Sequence, residues 1–213
     1  MMGRGLFWRV YAASYDALWD TELTAIVARR VLEEAPGDLP VVEVGAGTGL
    51  ITRELAAARR VVRACEPNAH MRAHLLAKGL KVDCVTSESI EDLRLPPGDY
   101  CVIAVNVLHL VADAPGCLER LLAIAGPGGR VIAVVPAPQA SVRSVARAQR
   151  VAGASTTRCL RFRAAHLLLG PLAMLTGSRP QPRALTAESM VHTVEGIQEI
   201  HVLAGAARVA PEV

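Results

Sequence analysis

The strongest constraint on the fold is an alternation between short apolar runs and helical stretches in residues 41–135. The apolar runs are four to six residues long and occur at 41–44, 61–65, 81–85, 100–105 and 130–135. Helical patterns separate several of these runs, at 50–58, 70–78 and 114–125. Strands that lack a polar alternation are typical of a parallel sheet buried on both faces. Their alternation with helices predicts a doubly wound α/β layer with helices on both faces.

The segments on either side of this layer have other patterns. Residues 6–34 read as an N-terminal helical cap, and residues 141–176 read as an Arg-rich helical insertion after the fifth strand. We expect a helix over 185–195 with Thr186 as its N-cap, and then a closing β-hairpin over 197–203 and 207–213. A chain of 213 residues is long enough for one well-buried domain and short for two. The sequence therefore predicts a single domain, 1–213, with its core at 40–136.

The bulk composition excludes several classes of protein. No apolar run approaches the ~20 residues that cross a bilayer, and the N-terminus lacks the apolar region of a secretory signal. The five cysteines are scattered and never spaced as CxxC, so we interpret them as buried reduced thiols without a metal. We therefore expect a cytoplasmic protein that is a monomer or a homodimer. The net charge of +3 is too small to indicate nucleic acid.

Three glycines follow the first apolar run directly and precede a helical stretch. Gly45, Gly47 and Gly49 form a GxGxG pattern, which lets the backbone approach a ligand that a Cβ atom would block. The dinucleotide fingerprint GxGxxG would need glycine at position 50, which is leucine. Glu43, inside the first strand, favours a ligand with a cationic centre over a pyrophosphate. Glu66 ends the second strand, where a carboxylate can accept hydrogen bonds from both hydroxyls of a ribose. This detail suits a dinucleotide as well as a ligand with a cationic centre.

These features resemble the class I methyltransferases that use S-adenosyl-L-methionine (SAM). The resemblance extends over about 40–136 and rests on five motifs in register: the acidic residue and GxGxG at 43–49, Glu66-Pro67, and the segments 88–93, 108–113 and 125–129. It implies a Rossmann-like, mostly parallel seven-stranded sheet and a SAM-dependent transferase that releases S-adenosyl-L-homocysteine. Three positions depart from the usual pattern. Ser89 stands where aspartate usually contacts adenine, and Tyr100 and Gly126 replace the usual Asp and Lys.

The same resemblance implies a role for each residue of the cofactor site. Gly45, Gly47 and Gly49 would approach the methionine end of SAM. Glu66, beside Pro67, would hold the ribose, and Ser89 and Ile90 would flank adenine. Ala104, after strand four, would offer its backbone to the amino group, and Tyr11 or Tyr15 would close the pocket from the N-terminal helix.

Two regions are candidates for binding the methyl acceptor. Five of the seven aromatic residues lie in 7–19, where Phe7, Tyr11, Tyr15 and Trp19 share one helical face. This stripe indicates either a docked helix or a lid over the pocket. Residues 120–187 contain ten Arg and no Asp or Glu. Their insertion is interpreted as a solvated basic surface, as a site for a carboxylate or phosphate on the acceptor, or as an interfacial segment with weak contact to an anionic membrane.

Methyl transfer needs mainly alignment in a dry pocket, and a general base assists some acceptors. His109 is the first candidate because it follows strand four, although packing on the next helix is its competing role. Tyr15 is a second candidate. The function predicted is methylation of an oxygen or nitrogen on a small-molecule acceptor. The alternatives are a SAM-fold protein that binds without methylating and an NAD(P)-dependent oxidoreductase, which the absent glycine at position 50 disfavours. A nucleic-acid substrate is disfavoured because few aromatics accompany the arginines.

Overall fold

The computed structural model describes residues 2–175, 190–194 and 197–205. The helices in this part of the chain are α1 (Met2–Trp19), α2 (Glu22–Glu34), α3 (Leu50–Ala57), α4 (Ala69–Ala77), α5 (Ala114–Ala125), α6 (Val142–Val151) and α7 (Thr156–Leu175). The strands are β1 (Val41–Val44), β2 (Val62–Cys65), β3 (Cys84–Thr86), β4 (Cys101–Val105), β5 (Arg130–Pro136), β6 (Met190–Val194) and β7 (Gln198–Ala204). The predicted α/β architecture is confirmed.

The strands form one seven-stranded sheet in the order β3-β2-β1-β4-β5-β7-β6. The first five strands are parallel, and β7 pairs antiparallel with both β5 and β6. The buried strands read as continuous apolar runs because helices cover both faces of the sheet. On one face, the alternate residues Val41, Ile103 and Ile132 pack with α2, α3 and α6. On the other face, Val42, Val102 and Ala133 pack with α5.

The order of the strands reverses between β1 and β4, and a crevice opens there. The β1–β4 ladder ends at the pair Glu43 and Ile103. The β4–β5 ladder continues two residues further, to Val105 and Val134. Strands β1 and β4 therefore separate at the carboxyl edge of the sheet, which is where ligands bind in open α/β sheets.

The predicted helical stretch 6–34 is two helices. Thr21 breaks it with an extended backbone (φ −133°), and its hydroxyl accepts a hydrogen bond from the backbone N–H of Thr24. This N-cap starts α2 and compensates for one of the amide groups that lack a partner in the first turn of a helix. The break lets α1 leave the sheet layer, on which α2 packs, and contact α4 and α7 instead.

The prediction of a helix over 185–195 is wrong for the part that the structure describes. Residues 190–194 form β6. Of the segment 197–203, predicted as the first strand of a hairpin, residues 198–203 lie in the second strand, β7. Val191, Thr193 and Val194 are β-branched residues that suit a strand, and long-range pairing with β7 overrides the local helical pattern. Residues 185–189, including Thr186, and residues 207–213 lie outside the described part of the chain. Among the residues described, no helix combines the length and apolarity needed to cross a membrane.

Candidate functional site

The loop between β1 and α3 has a backbone that only glycine adopts readily. Gly45, Gly47 and Gly49 have φ angles of +68°, +59° and +86°. A Cβ atom on Gly45 would lie 2.4 Å from Cγ2 of Val107, which follows β4. The amides of Gly45 and Ala46 both donate to the carbonyl oxygen of Cys65, at 2.8 and 3.0 Å. The loop is therefore held at the carboxyl edge of the sheet, beside the crevice between β1 and β4.

Glu66 follows β2 and contacts this loop directly. Its carboxylate is buried and accepts hydrogen bonds from the backbone N–H of Gly47 at 2.7 Å and of Asn68 at 2.8 Å. Asn68 in turn is the N-cap of α4, because its side chain accepts from the amides of His70 and Met71. Burial raises the pKa of Glu66, while these two backbone hydrogen bonds oppose the shift.

Glu43 lies on β1 below the loop and is also buried. Its Oε2 atom accepts a hydrogen bond from the hydroxyl of Thr52, on α3, at 2.6 Å. Burial raises the pKa of Glu43 to about 8, the Thr52 hydrogen bond opposes this shift, and the charge of Glu66 adds to it. Two neighbouring carboxyls in a region of low dielectric favour a cationic ligand, which would relieve the cost of ionising both.

Helix α1 covers this pair of carboxyls with Tyr15 and Asp16. Burial raises the pKa of Tyr15 above its ordinary value, and the nearby Glu66 and Glu43 are among the charges that reinforce the shift. The phenol thus stays protonated and can donate a hydrogen bond. Asp16 accepts a hydrogen bond from the hydroxyl of Thr48, within the glycine loop, and its other oxygen lies 2.8 Å from Nζ of Lys78.

The aromatic stripe continues from α1 to α7. Tyr11 stacks on Phe7 and accepts a hydrogen bond from Nε1 of Trp19 at 3.2 Å. Trp19 then packs edge-on against Phe162 and His166 of α7. The cap is therefore a helix docked through its aromatic face, and Tyr15 on the same face lies over the candidate site. The docking interpretation of the stripe describes this contact, and its interpretation as a lid over the pocket stays a prediction.

Four further predicted residues lie in the neighbourhood with different environments. Ile90 and Ala104 are buried in the cluster that contains Val44 and Cys65, which precede the loop and Glu66. Ser89 has its hydroxyl engaged by the carboxylate of Asp92 at 2.8 Å, so it caps the turn at 89–93. Pro67 is exposed, and its carbonyl accepts a hydrogen bond from Arg72.

His109 lies in the turn after β4, where the amide of Leu110 donates to the carbonyl of Val107. Its Nδ1 atom is buried and has no hydrogen-bond partner among the described residues. Burial lowers the pKa of His109 to about 4, so the imidazole is neutral at physiological pH. A neutral ring with a free nitrogen can accept a proton or a hydrogen bond.

Sequence reasoning missed Asp16 and Asn106. Asp16 contacts a residue 32 positions away, and the only local signal was an acidic group beside the aromatic face of α1. Asn106 follows β4 directly in a left-handed conformation (φ +57°), and its Oδ1 accepts a hydrogen bond from Nε2 of Gln198, on β7, at 3.4 Å. Its position at the end of a central strand, among residues known to tolerate this conformation, was the available signal. Within residues 2–175, 190–194 and 197–205, no group of three or more His, Cys, Asp and Glu side chains could hold a metal ion.

Comparisons with known proteins agree with this geometry. A family model described as a methyltransferase domain matches residues 42–131. The fold is similar to the magnesium protoporphyrin IX methyltransferase of Synechocystis PCC 6803 with bound SAH (S-adenosylhomocysteine), at a TM-score of 0.51 and 16% identity, over 86% of this chain and 82% of that one. The same enzyme with bound SAM gives a TM-score of 0.50 and 17% identity, over 86% and 78%. A search of curated proteins gave no significant match.

Other solved structures are matched over a smaller part of their length. The protein assigned as a methyltransferase in the complex with the Haloferax volcanii Trm112 methyltransferase activator is 20% identical, with a TM-score of 0.50, over 65% of this chain and 63% of that one. The match to the protein from Listeria monocytogenes assigned as an S-adenosylmethionine-dependent methyltransferase spans 57% of that chain. The chain thus spans less than two thirds of the length of these two structures.

Proposed function

We propose that the chain is a class I SAM-dependent methyltransferase and that it transfers a methyl group to an oxygen or nitrogen of a small-molecule acceptor. The observation that carries the proposal is that the glycine loop, Glu43 and Glu66 lie together where the order of the strands reverses. Its three left-handed glycines offer backbone to a ligand, and its two buried carboxyls favour a ligand with positive charge. Both properties fit SAM, which carries a sulfonium and an amino group.

In this proposal the residues of the chain bind and orient. Glu66 holds a ribose through the carboxylate that also fixes Gly47. The loop glycines approach the methionine end of SAM. Ala104 lies on β4, one residue beyond the last pair of the β1–β4 ladder, and its backbone is offered to the amino group of SAM. Ile90 packs against adenine, and Ser89 and Pro67 border it. SAM supplies the methyl group as an activated sulfonium substituent, which leaves alignment and exclusion of water as the main tasks of the protein.

The acceptor would enter beside α1 and the turn that carries His109. The neutral imidazole, with its free Nδ1, is suited to remove a proton from a hydroxyl or ammonium acceptor. Tyr15, which stays protonated, is suited to orient the acceptor by donating a hydrogen bond.

Two measurements test the proposal. Isothermal titration with SAM and with S-adenosylhomocysteine should show affinity in the micromolar range, and the absence of binding to the folded protein would contradict it. Transfer of a labelled methyl group to a panel of small hydroxyl and amine acceptors should then identify the acceptor class. Tight binding of SAM without transfer to any of them would instead favour a binding protein or a non-methylating reaction.

A further inference from the structure

Helix α6 carries a row of arginines on the side opposite its packed side. Arg143, Arg147 and Arg150 are spaced four and three residues apart, so they share one helical face, and all three are exposed. Ala148 and Gln149, which are buried, lie on the opposite side, where the side-chain amide of Gln149 contacts the carbonyl of Leu18. The row is therefore directed away from the body of the protein.

Helix α7 packs on α6 and exposes large apolar side chains. Its packed side is formed by Phe162 and by Cys159, whose thiol contacts the carbonyl of Ala146. On its outer side, Leu160 and Leu167 are 58% and 77% exposed and lie two helical turns apart, with the exposed Arg163 between them. The contact between the two helices is made at Ala146, which lies beside the arginine row of α6, and at Cys159, one turn before Arg163 on α7. The connection 152–155 is short, which is typical of an antiparallel helix pair, so the two exposed rows border the same helix–helix contact.

The positive charge of this surface is not balanced locally. Residues 120–187 contain no Asp or Glu. Within the described ranges, the guanidinium groups of Arg147, Arg150 and Arg163 form no ion pair. A protein partner would need an acidic side chain opposite each of these three arginines, and those acids would lose their hydration in the contact. A bilayer of anionic lipid instead offers phosphate groups at any position along its surface.

We propose that the Arg–Leu face, formed by Arg143, Arg147, Arg150, Leu160, Arg163 and Leu167, binds the surface of an anionic lipid bilayer. The leucines enter the interface between head groups and acyl chains, where apolar side chains are favoured. The arginine stems lie along the same interface and their guanidinium groups reach lipid phosphates. A nucleic acid fits less well, because Phe162, the aromatic residue within this arginine-rich region, is buried and cannot stack on bases.

Co-sedimentation with vesicles tests the proposal. The full chain should bind phosphatidylcholine vesicles that contain about 30 mol% phosphatidylglycerol, and should not bind pure phosphatidylcholine. Arg147→Glu/Arg150→Glu should weaken the partition coefficient about tenfold or more, since each basic residue at an anionic surface contributes roughly fivefold. The matched control Lys81→Glu/Arg94→Glu makes the same change in net charge elsewhere and should leave binding within about twofold.

The leucines separate a membrane from other anionic partners. Leu160→Ser/Leu167→Ser keeps the charge and should also weaken vesicle binding, while each variant should retain the circular dichroism spectrum of the wild type. Absence of binding to anionic vesicles, or equal losses in the control pair, would overturn the proposal. It would also be overturned if the serine variant bound vesicles normally and a DNA duplex or polyglutamate competed fully, because the face would then recognise soluble polyanions.

Discussion

The backbone N–H of Gly47 lies 2.7 Å from Oε2 of Glu66 and donates a hydrogen bond to it. The other carboxylate oxygen accepts from the amide of Asn68, the N-cap of α4. One buried carboxylate thus joins the loop after β1 to the start of the helix after β2. In the proposed function, it is also the group that holds the ribose, so a single side chain supports both the shape of the site and its ligand.

Replacing the carboxylate of Glu66 should weaken both the stability of the site and the binding of its ligand. In Glu66→Gln, one side-chain oxygen becomes an NH₂ group that faces a backbone N–H, and a buried donor without a partner costs about 1–3 kcal/mol. We expect the affinity for S-adenosylhomocysteine to fall about ten- to hundredfold, measured by isothermal titration, together with a lower melting temperature. The exposed Glu119→Gln on α5 serves as control. Unchanged affinity in Glu66→Gln would exclude this carboxylate from the cofactor site.

Gly45 should be irreplaceable for two separable reasons. Its φ of +68° costs an L-residue roughly 1–2 kcal/mol, and an alanine Cβ would lie 2.4 Å from Cγ2 of Val107. Gly79→Ala is a matched control because Gly79 has a φ of +58° with nothing within 4 Å of the added Cβ. Urea unfolding should therefore show a loss for Gly45→Ala that exceeds the loss for Gly79→Ala by about 1–3 kcal/mol. Equal losses would show that Val107 moves freely.

The pKa of Glu43 predicts how stability depends on pH. Burial raises this pKa from 4.5 to about 8, so the folded protein binds more protons than the unfolded chain between these values. The contribution of Glu43 to the free energy of unfolding is therefore present at low pH and is lost as pH rises through this window. Glu43→Gln, which can still accept from Thr52, should flatten the fall. Parallel pH profiles for the two proteins, by urea unfolding without ligand, would refute the shift.

A cationic ligand should reverse the same shift. Positive charge near Glu43 favours its ionised form, so binding of SAM at pH 7 should release a proton. Titrations in phosphate and in Tris, which differ in ionisation enthalpy, should give observed enthalpies that differ for the wild type and coincide for Glu43→Gln. Coincident enthalpies for the wild type would mean that no proton leaves on binding.

The lowered pKa of His109 predicts how kcat/KM depends on pH on the acid side of neutrality. Because burial lowers its pKa to about 4, the imidazole should remain a competent base through pH 5, and kcat/KM should show no inflection near 6.5 from this group. His109→Ala should lower kcat about 10²- to 10⁴-fold for an acceptor that must lose a proton. His74→Ala, an exposed histidine on α4, should leave kcat unchanged. Retention of wild-type turnover by His109→Ala would remove the base from the mechanism.

The sequence was most informative where local geometry decides the residue. The loop glycines could be predicted because a left-handed backbone or a close approach excludes other residues, and this requirement is visible without the fold. Glu66 could be placed beside them because the carboxyl ends of neighbouring parallel strands share one edge. Its second task, accepting the amide of Gly47, depends on a loop 19 residues away and was not foreseen.

The rest of the site depends on distant contacts. The link from Asp16 to Thr48 requires α1 to lie against α4 and α7, beside the glycine loop, which follows from the break at Thr21 and the packing of Trp19 on α7. Likewise, the local pattern of 185–195 suited a helix, whereas pairing with β7 made 190–194 a strand. Periodicity reports on which side of an element is buried, and it carries no information on which neighbour covers it.

The position of the aromatic stripe means that the tryptophan fluorescence of this chain comes from helix α1. The chain has two tryptophans, Trp8 and Trp19, and both belong to α1. Trp19 donates to Tyr11 and packs edge-on against Phe162, so its emission reflects the contact between α1 and α7. Intrinsic fluorescence of the unlabelled protein is thus a signal from one helix, and a titration with cofactor or with vesicles would register any movement of that helix.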